Sequence, residues 1–434
     1  MERLTVGLLG LGTVGSGVAR ILTREEGVFA GRRGPRIALK VASVRDLGKA
    51  RPDFPSSLTL TDDPRRVVDD PEVDVIVEAM GGTDPALSLV LRALANGKDV
   101  VTANKAMLAD HGPEVFAAAR AAGRAVAFEA SVGGGIPIIQ ALGVGLAANR
   151  ITALAAIVNG TCNFILSKMI REGLAYETAL AEAQVQGFAE ADPAMDVDGT
   201  DTAHKLAVLA QIAFGAGVTT DQILREGIDK LQADDIRYAG ELGYTVKLLA
   251  HGKLWESGLE LRVAPTLVKK GTPLAEVSGP YNAIRVIGDS VGDTLFCGRG
   301  AGMMPTASAI VGDLIDVATG RAALTFRALD LWPADAPATK LVGPEQIRSK
   351  YYLRFSIADR PGVIAALTRV LGDHGISIAS VIQHDPGEDV PPSGAVPLVV
   401  MTHMAVRASV EDALAEIDRL DVVHSPSVCL GVED

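Results

Sequence analysis

Apolar and polar positions fall into two periods along this chain, and the first 140 residues carry the clearer pattern. LTVGLLG (4–10) is a continuous apolar run, the mark of a strand buried on both faces. GLGTVG follows, and VARILTRE continues it as a helix. Further strands read over RIALKVASV (36–44), VDVIVEAM (73–80), DVVTANK (99–105) and RAVAFEAS (124–131). Helices read over PALSLVLRALANGK (85–98) and PEVFAAARAAG (113–123). Such alternation predicts a doubly wound parallel sheet, with ligands at the carboxyl ends of its strands. That edge receives Gly81, Gly82, Asn104, Lys105 and Glu129. Within GLGTVG, Gly10 permits the turn, Gly12 lets backbone approach a pyrophosphate, and Gly15 lets helix pack on strand; Thr13 and Val14 sit at the helix mouth. The second strand ends in SVRD. Arg45 there favours a 2′-phosphate and NADP, while Asp46 keeps NAD open. Lys105 reads either as a surface cation whose stem covers the sheet or as a cation for a substrate oxygen.

Beyond residue 137 the alternation stops. ITALAAIVNGT (151–161) reads as a strand, and CNFILSKMIREG (162–173), AYETALAEAQVQG (175–187) and TDTAHKLAVLAQIAFG (200–215) read as helices. In FAEADPAMDVDGTDTAHK (188–205) the carboxylates Glu190, Asp192, Asp196, Asp198 and Asp201 crowd ahead of Lys205. DVDG looks like part of a calcium loop, with Asp196, Asp198 and Gly199 at its third, fifth and sixth positions. Ala194 and Lys205 then stand where the two end ligands belong, so calcium is rejected. Asp201 and Lys205 share a helix face, and an exposed pair of this kind is worth only ~0.3–0.5 kcal/mol. The apolar residues that follow predict a largely buried helix, where a Lys–Asp pair is costly without a role. His204 points aside and reads as structural. PTASAIVGDLIDVAT (305–319) reads as a helix that packs back on the nucleotide-binding part, making the middle of the chain an insertion.

LWPADAPATKLVGPEQIRSK (331–350) is rich in Pro and Ala and reads as a linker. After it YLRFSI, VIAALTRVLGDHG, ISIASVIQH, AVPLVVMTHM, VEDALAEIDRL and VVHSPSVCLGV run strand, helix, strand, strand, helix, strand, the ferredoxin-like order, with GEDVPPSG (387–394) as a hairpin loop.

Composition narrows the class. A length of 434 residues suggests two or three domains at about 150 residues each. With 48% hydrophobic and 22% charged residues the chain is globular; a net charge of -12 without a Lys/Arg cluster gives no nucleic-acid footprint. Cys162, Cys297 and Cys429 form no CxxC, so neither a zinc site nor a disulfide framework is indicated and a reducing cytoplasm is expected. No apolar run reaches the roughly 18 residues of a membrane span, and the glycine-broken N-terminus lacks the cleavage site of a signal sequence.

Taken in order, GLGTVGSG (10–17), TANK (102–105), EASVGGGIPII (129–139), NGTCNFIL (159–166), the acidic stretch with its lysine, and GDSVGDTLFCGRGAGMMPTA (288–307) resemble homoserine dehydrogenase, from residue 1 to about 325. The segment after 350, with its DRPG turn, resembles an ACT domain, a small-molecule sensor module. The resemblance implies a Rossmann-type NAD(P)-binding domain over 1–136 with a return helix at 303–325. It implies an α+β substrate-binding and dimerisation domain over 137–302, a linker over 331–350 and a ferredoxin-like ACT regulatory domain over 351–434. The implied reaction is reversible reduction of L-aspartate-4-semialdehyde to L-homoserine by NADPH or NADH, in threonine and methionine biosynthesis.

By the same resemblance, Glu190 binds the substrate ammonium with Asp196 nearby, Lys205 gives the proton, Asp201 orients Lys205, and Lys105 is a second cation near the nicotinamide. Gly160 and Gly302 join Gly10, Gly12, Thr13, Val14, Gly15 and Arg45 at the cofactor. EASVGGGI matches a site for Na+, with a side-chain oxygen from Glu129 and carbonyls from Val132, Gly134 and Ile136; the alternative is a turn without an ion. The ACT module implies either an L-threonine effector or a dimerising role, within a homodimer or homotetramer. No aspartokinase segment precedes residue 1, so the monofunctional type is expected. Two rivals stand beside this reading. One is a phosphorylating semialdehyde dehydrogenase with Cys162 as thioester nucleophile, for which no clear His base is present. The other is a sensor that kept the nucleotide domain without catalysis, which has no need of both lysines.

Overall fold

The computed structural model describes residues 3–23, 34–49, 54, 58–333, 335, 338–384 and 395–433. The chain forms two compact units, each assembled from separated stretches: Met1–Gly160, Thr200–Ile223 and Pro280–Thr339 in one, Thr161–Gly199, Leu224–Gly279 and Lys340–Asp434 in the other.

The first unit is built on six strands: β1 (Arg3–Leu9), β2 (Arg36–Ser43), β3 (Thr59–Thr61), β4 (Val75–Glu78), β5 (Asp99–Thr102) and β6 (Val126–Ala127). They lie in the order β3-β2-β1-β4-β5-β6, and every neighbouring pair is parallel. Four helices connect them: α1 (Thr13–Leu22), α2 (Pro64–Val68), α3 (Ala86–Ala95) and α4 (Lys105–Ala122). This is the doubly wound Rossmann order, whose direction reverses between β1 and β4 and opens a crevice there. The helix Met303–Ala318 packs on this sheet: Ala307, Ile310 and Leu314 share a core with Val6, Leu8 and Val18.

Four elements differ from the sequence reading. Lys105 does not close a strand; it is the first residue of α4, behind an Asn104 cap whose side chain accepts the Met107 N–H. α4 therefore begins eight residues before the expected start at 113, and it bends at His111, next to Pro113, which lacks the N–H a straight helix needs. The strand expected over 124–131 is only Val126–Ala127, followed by a tight turn at Glu129–Ser131. β3 and α2 were too short for a period to reveal; α2 starts where Asp63 accepts the Arg65 N–H.

The same unit holds an antiparallel sheet of Ile151–Ile157, Tyr281–Gly288 and Gly292–Arg299, and the helix Thr200–Phe214. It also fastens the start of the expected linker. Trp332 is buried with its ring 4.6 Å from that of Phe116, and Arg120 donates to the carbonyls of Leu331 and Trp332. Both contacts hold Trp332 at a positive φ of 49°, which a bulky residue adopts only when its surroundings fix it.

The second unit carries the helix Tyr176–Val185, the long hairpin Tyr244–Trp255 and Gly258–Lys269, and the ferredoxin-like ACT fold. In the ACT sheet, Tyr351–Ala358 lies between Val423–Glu433 and Ala395–Thr402, with Ile378–Ile382 at the edge. Leu353, Phe355, Leu367, Leu371, Leu398 and Val410 form its core. The ACT fold is not a bead on a string. Its last strand pairs in parallel with Gly258–Lys269 (Thr266 opposite Gly431, Leu267 opposite Val432), and Arg354 reaches Asp235 of the helix Ala233–Glu241 at 2.6 Å. The expected loop GEDVPPSG lies outside the described residues.

Candidate active site

At the crevice the three glycines behave as three different parts. Gly10 takes a φ of 92°, and a Cβ on it would stand 2.8 Å from the Ala79 carbonyl. A Cβ on Gly15 would stand 2.0 Å from the Gly10 carbonyl, so only glycine lets α1 meet β1 this closely. Gly12 faces open space, and α1 begins after it with no side-chain cap, which leaves first-turn amides such as those of Thr13 and Val14 for an anion. Beyond β2, Asp46 accepts the Gly48 N–H at 2.8 Å within its own turn, and Arg45 is exposed. Gly302 caps the return helix, and Gly160 opens the helix Gly160–Glu172.

The lysines meet on one carboxylate. Asp201 and Lys205 stand one turn apart near the start of Thr200–Phe214, and Lys205 Nζ donates to Asp201 Oδ2 at 2.6 Å and to the Val158 carbonyl at 2.6 Å. Asn159 Nδ2 donates to the same Oδ2 at 2.9 Å. Lys105, at the head of α4, places Nζ 3.2 Å from Asp201 Oδ1. Burial by itself would raise the Asp201 carboxyl, but the two ammonium groups and the donors from Lys205 and Asn159 outweigh it and hold the group well below the usual carboxylate range. Two cations on one anion leave an excess positive charge, in a setting where Lys105 keeps about a third of its side chain exposed (35%). Such a place suits an oxygen that gains negative charge.

The second unit carries the predicted substrate carboxylates. Glu190 is exposed beyond Tyr176–Val185, its carbonyl accepting from Gln184 Nε2 at 3.1 Å. Asp196 is half-buried in the short helix Ala194–Val197. Cys162 is fully buried and its thiol donates to the Asp196 carbonyl at 3.2 Å, a packing arrangement rather than an exposed nucleophile.

Glu129 turns its carboxylate onto the Ile139 and Gln140 N–H groups at 2.9 and 2.8 Å, while its own N–H donates to Asp313. Burial pushes the Glu129 carboxyl up to about 7 and the Asp313 carboxyl well above its ordinary value. The turn that follows runs close to other backbone: a Cβ on Gly134 would stand 2.3 Å from the Gly300 carbonyl. Among the described residues, no backbone N–H donates to the Val132 or Gly134 carbonyls, and that of Ile136 accepts one, from Ile138.

Sequence reasoning missed two residues here. Asn159 had no signal of its own outside the motif NGTCNFIL. Glu78 had one: it is a charge set inside the apolar run VDVIVEAM.

A dinucleotide-type sheet with an open glycine turn, in one unit with two lysines on a buried carboxylate, defines an oxidoreductase of the nicotinamide-dependent class. Family profiles match "Homoserine dehydrogenase, NAD binding domain" at residues 10–129, "Homoserine dehydrogenase" at 137–315 and "ACT domain" at 351–422. The chain is 45% identical to a homoserine dehydrogenase of Pseudomonas aeruginosa, with 100% of this chain and 99% of that protein aligned. A crystal structure of a homoserine dehydrogenase from Thiobacillus denitrificans matches at a TM-score of 0.90 and 45% identity, covering 100% of this chain and 99% of that one. A hyperthermophilic archaeal homoserine dehydrogenase in complex with NADPH matches at a TM-score of 0.62 and 25% identity, over 74% of this chain and 98% of that one. The chain belongs to the homoserine dehydrogenase family. No helix among the described residues is long and apolar enough to cross a membrane.

Proposed function

We propose that this chain catalyses the reversible reduction of L-aspartate-4-semialdehyde to L-homoserine, within threonine and methionine biosynthesis. The observation that carries the reading is the pair of ammonium groups on Asp201. Gly10, Gly12, Thr13, Val14 and Gly15 hold the dinucleotide pyrophosphate, with Gly160 and Gly302 at the same cofactor, and the bound nicotinamide supplies the hydride. Lys205 Nζ gives the proton to the nascent alkoxide and takes it back in oxidation. Asp201 holds and aims Lys205, Lys105 stabilises the oxygen, and Glu190, with Asp196, binds the substrate ammonium. NADP is preferred: Asp46 is engaged in its own turn, which leaves Arg45 for a 2′-phosphate.

The loop 129–136 suits a monovalent cation such as Na+, with oxygens from Glu129, Val132, Gly134 and Ile136; the carbonyls of Val132 and Gly134, to which no backbone amide among the described residues donates, support this assignment. The ACT fold takes an amino-acid effector, L-threonine, and the enzyme assembles as a homodimer or homotetramer. The test is NADPH oxidation with aspartate semialdehyde. Wild type turns over, and Lys205→Ala loses about 10²–10⁴-fold in kcat. Full activity in Lys205→Ala would move the proton to another group, with Lys105 next to examine.

A further inference from the structure

Glu78 ends β4 with no exposed surface. A carboxylate in that position is costly unless donors surround it. Its Oε1 accepts the Met80 and Gly81 N–H groups at 2.8 and 3.3 Å, and its Oε2 accepts the Thr102 hydroxyl, at the end of β5, at 2.6 Å. Thr102 Oγ1 in turn accepts the Asn104 N–H at 3.0 Å. Asn104 Nδ2 donates to the Gly82 carbonyl at 2.6 Å, and its Oδ1 accepts the Met107 N–H at 3.1 Å. One side chain thus closes the loop after β4 and caps α4, and the first residue of α4 is Lys105.

We propose that Glu78 is a positioning residue for the reaction. Through Thr102 and Asn104 it fixes the loop after β4 and the head of α4 as one body, and with them the place of the Lys105 ammonium. The inference rests on the reading of Lys105 as a second active-site cation. Three donors converge on Glu78 and partly offset the burial that raises its carboxyl, and a carboxylate is the side chain whose two oxygens can accept all three. An amide here keeps the arm to Met80 and Gly81 but turns an NH₂ toward Thr102, reversing the sense of that bond.

The experiment measures kcat, KM for aspartate semialdehyde and melting temperature for wild type, Glu78→Gln, Thr102→Val, Thr102→Ser and Lys105→Ala. Glu78→Gln and Thr102→Val are expected to lower kcat about 10–100-fold, the effect of a displaced catalytic group. Melting temperature falls in Glu78→Gln and Thr102→Val, since a buried hydrogen bond is lost, but KM stays near wild type, and Thr102→Ser, which keeps the hydroxyl, recovers most of the rate and of the melting temperature. The double variant of Glu78→Gln and Thr102→Val is no slower than the slower single one, because both break one chain. Unchanged kcat in Thr102→Val, or equal loss in Thr102→Val and Thr102→Ser, overturns the proposal, as does a rate loss that follows melting temperature alone. If Glu78→Gln does not fold, the two Thr102 variants decide. Wild-type kcat in Lys105→Ala overturns the Lys105 reading and this inference with it; loss in Lys105→Ala beside an undiminished Thr102→Val overturns this inference alone.

Discussion

Asp201 and Asp235 are both buried carboxylates that accept from cations, one in each unit, yet their surroundings are finished differently. Around Asp235 everything is paired. Arg354 donates to both of its oxygens and to Gln232, Tyr352 adds its hydroxyl, and Asp235 also accepts the Gln232 N–H that opens its own helix. The Asp235 side chain has no exposure. Around Asp201 there is surplus. Lys205 has three N–H donors and spends two on Asp201 and Val158, and Lys105 adds a second positive charge with a partly exposed side chain. A saturated, sealed cluster holds elements together. An unsaturated cluster that stays accessible has capacity for a substrate atom, and this distinguishes the two where burial and charge alone do not.

The largest expected effects separate the two clusters most sharply. Lys205→Ala should remove about 10²–10⁴-fold of kcat and cost less stability than loss of Asp235, because Lys105 and Asn159 still hold Asp201. Asp235→Ala should do the reverse, losing about 3–5 kcal/mol because Arg354 is left buried without its anion. Denaturant unfolding beside steady-state kinetics reads both; an Asp235→Ala protein as stable as wild type would break the comparison. Glu190→Gln comes next. Losing a charge-assisted contact to the substrate ammonium, worth about 1.5–3 kcal/mol, should raise KM for homoserine about 10–100-fold with a smaller change in kcat. An unchanged KM removes Glu190 from the binding role.

The smallest effects lie in pH. Asp201 is held below its ordinary value, so the stability it contributes is complete above pH 4 and is lost only as pH falls further. It gives no slope near neutrality. Lys247 is the opposite case. Its ammonium is buried against the Val277 carbonyl and Asn163, and burial lowers it from 10.5 to about 8. Between those values the unfolded chain binds the extra proton, so stability should rise with pH, on the order of 1–2 kcal/mol from pH 7.5 to 9.5. Lys247→Met should flatten that rise; the same slope in the variant would assign it to other groups.

The ACT fold shows why part of the architecture was legible. Its order of strands and helices follows from local periods, each within some ten residues. That its last strand joins Gly258–Lys269, and that Arg354 meets Asp235, are long-range pairings with no local signature. They also bear on truncation: removing residues 351–434 would leave Asp235 without Arg354 and strip the parallel strand from the other edge of Gly258–Lys269, so point variants suit tests of an effector response better.

By itself, the sequence determined the β1–α1 turn with its three glycines, the parallel sheet and the pairing of Asp201 with Lys205. The turn and the pair depend on residues a few positions apart, where backbone geometry alone sets who meets whom, and the class of sheet follows from the alternation of locally read strands and helices. Only the tertiary structure decided that Lys105 begins a helix, that it shares Asp201 with Lys205, and that Asn159 and Val158 complete the cluster. Those groups come from three stretches of chain separated by dozens of residues, and what brings them together is burial of the elements that carry them, which no local pattern of side chains encodes.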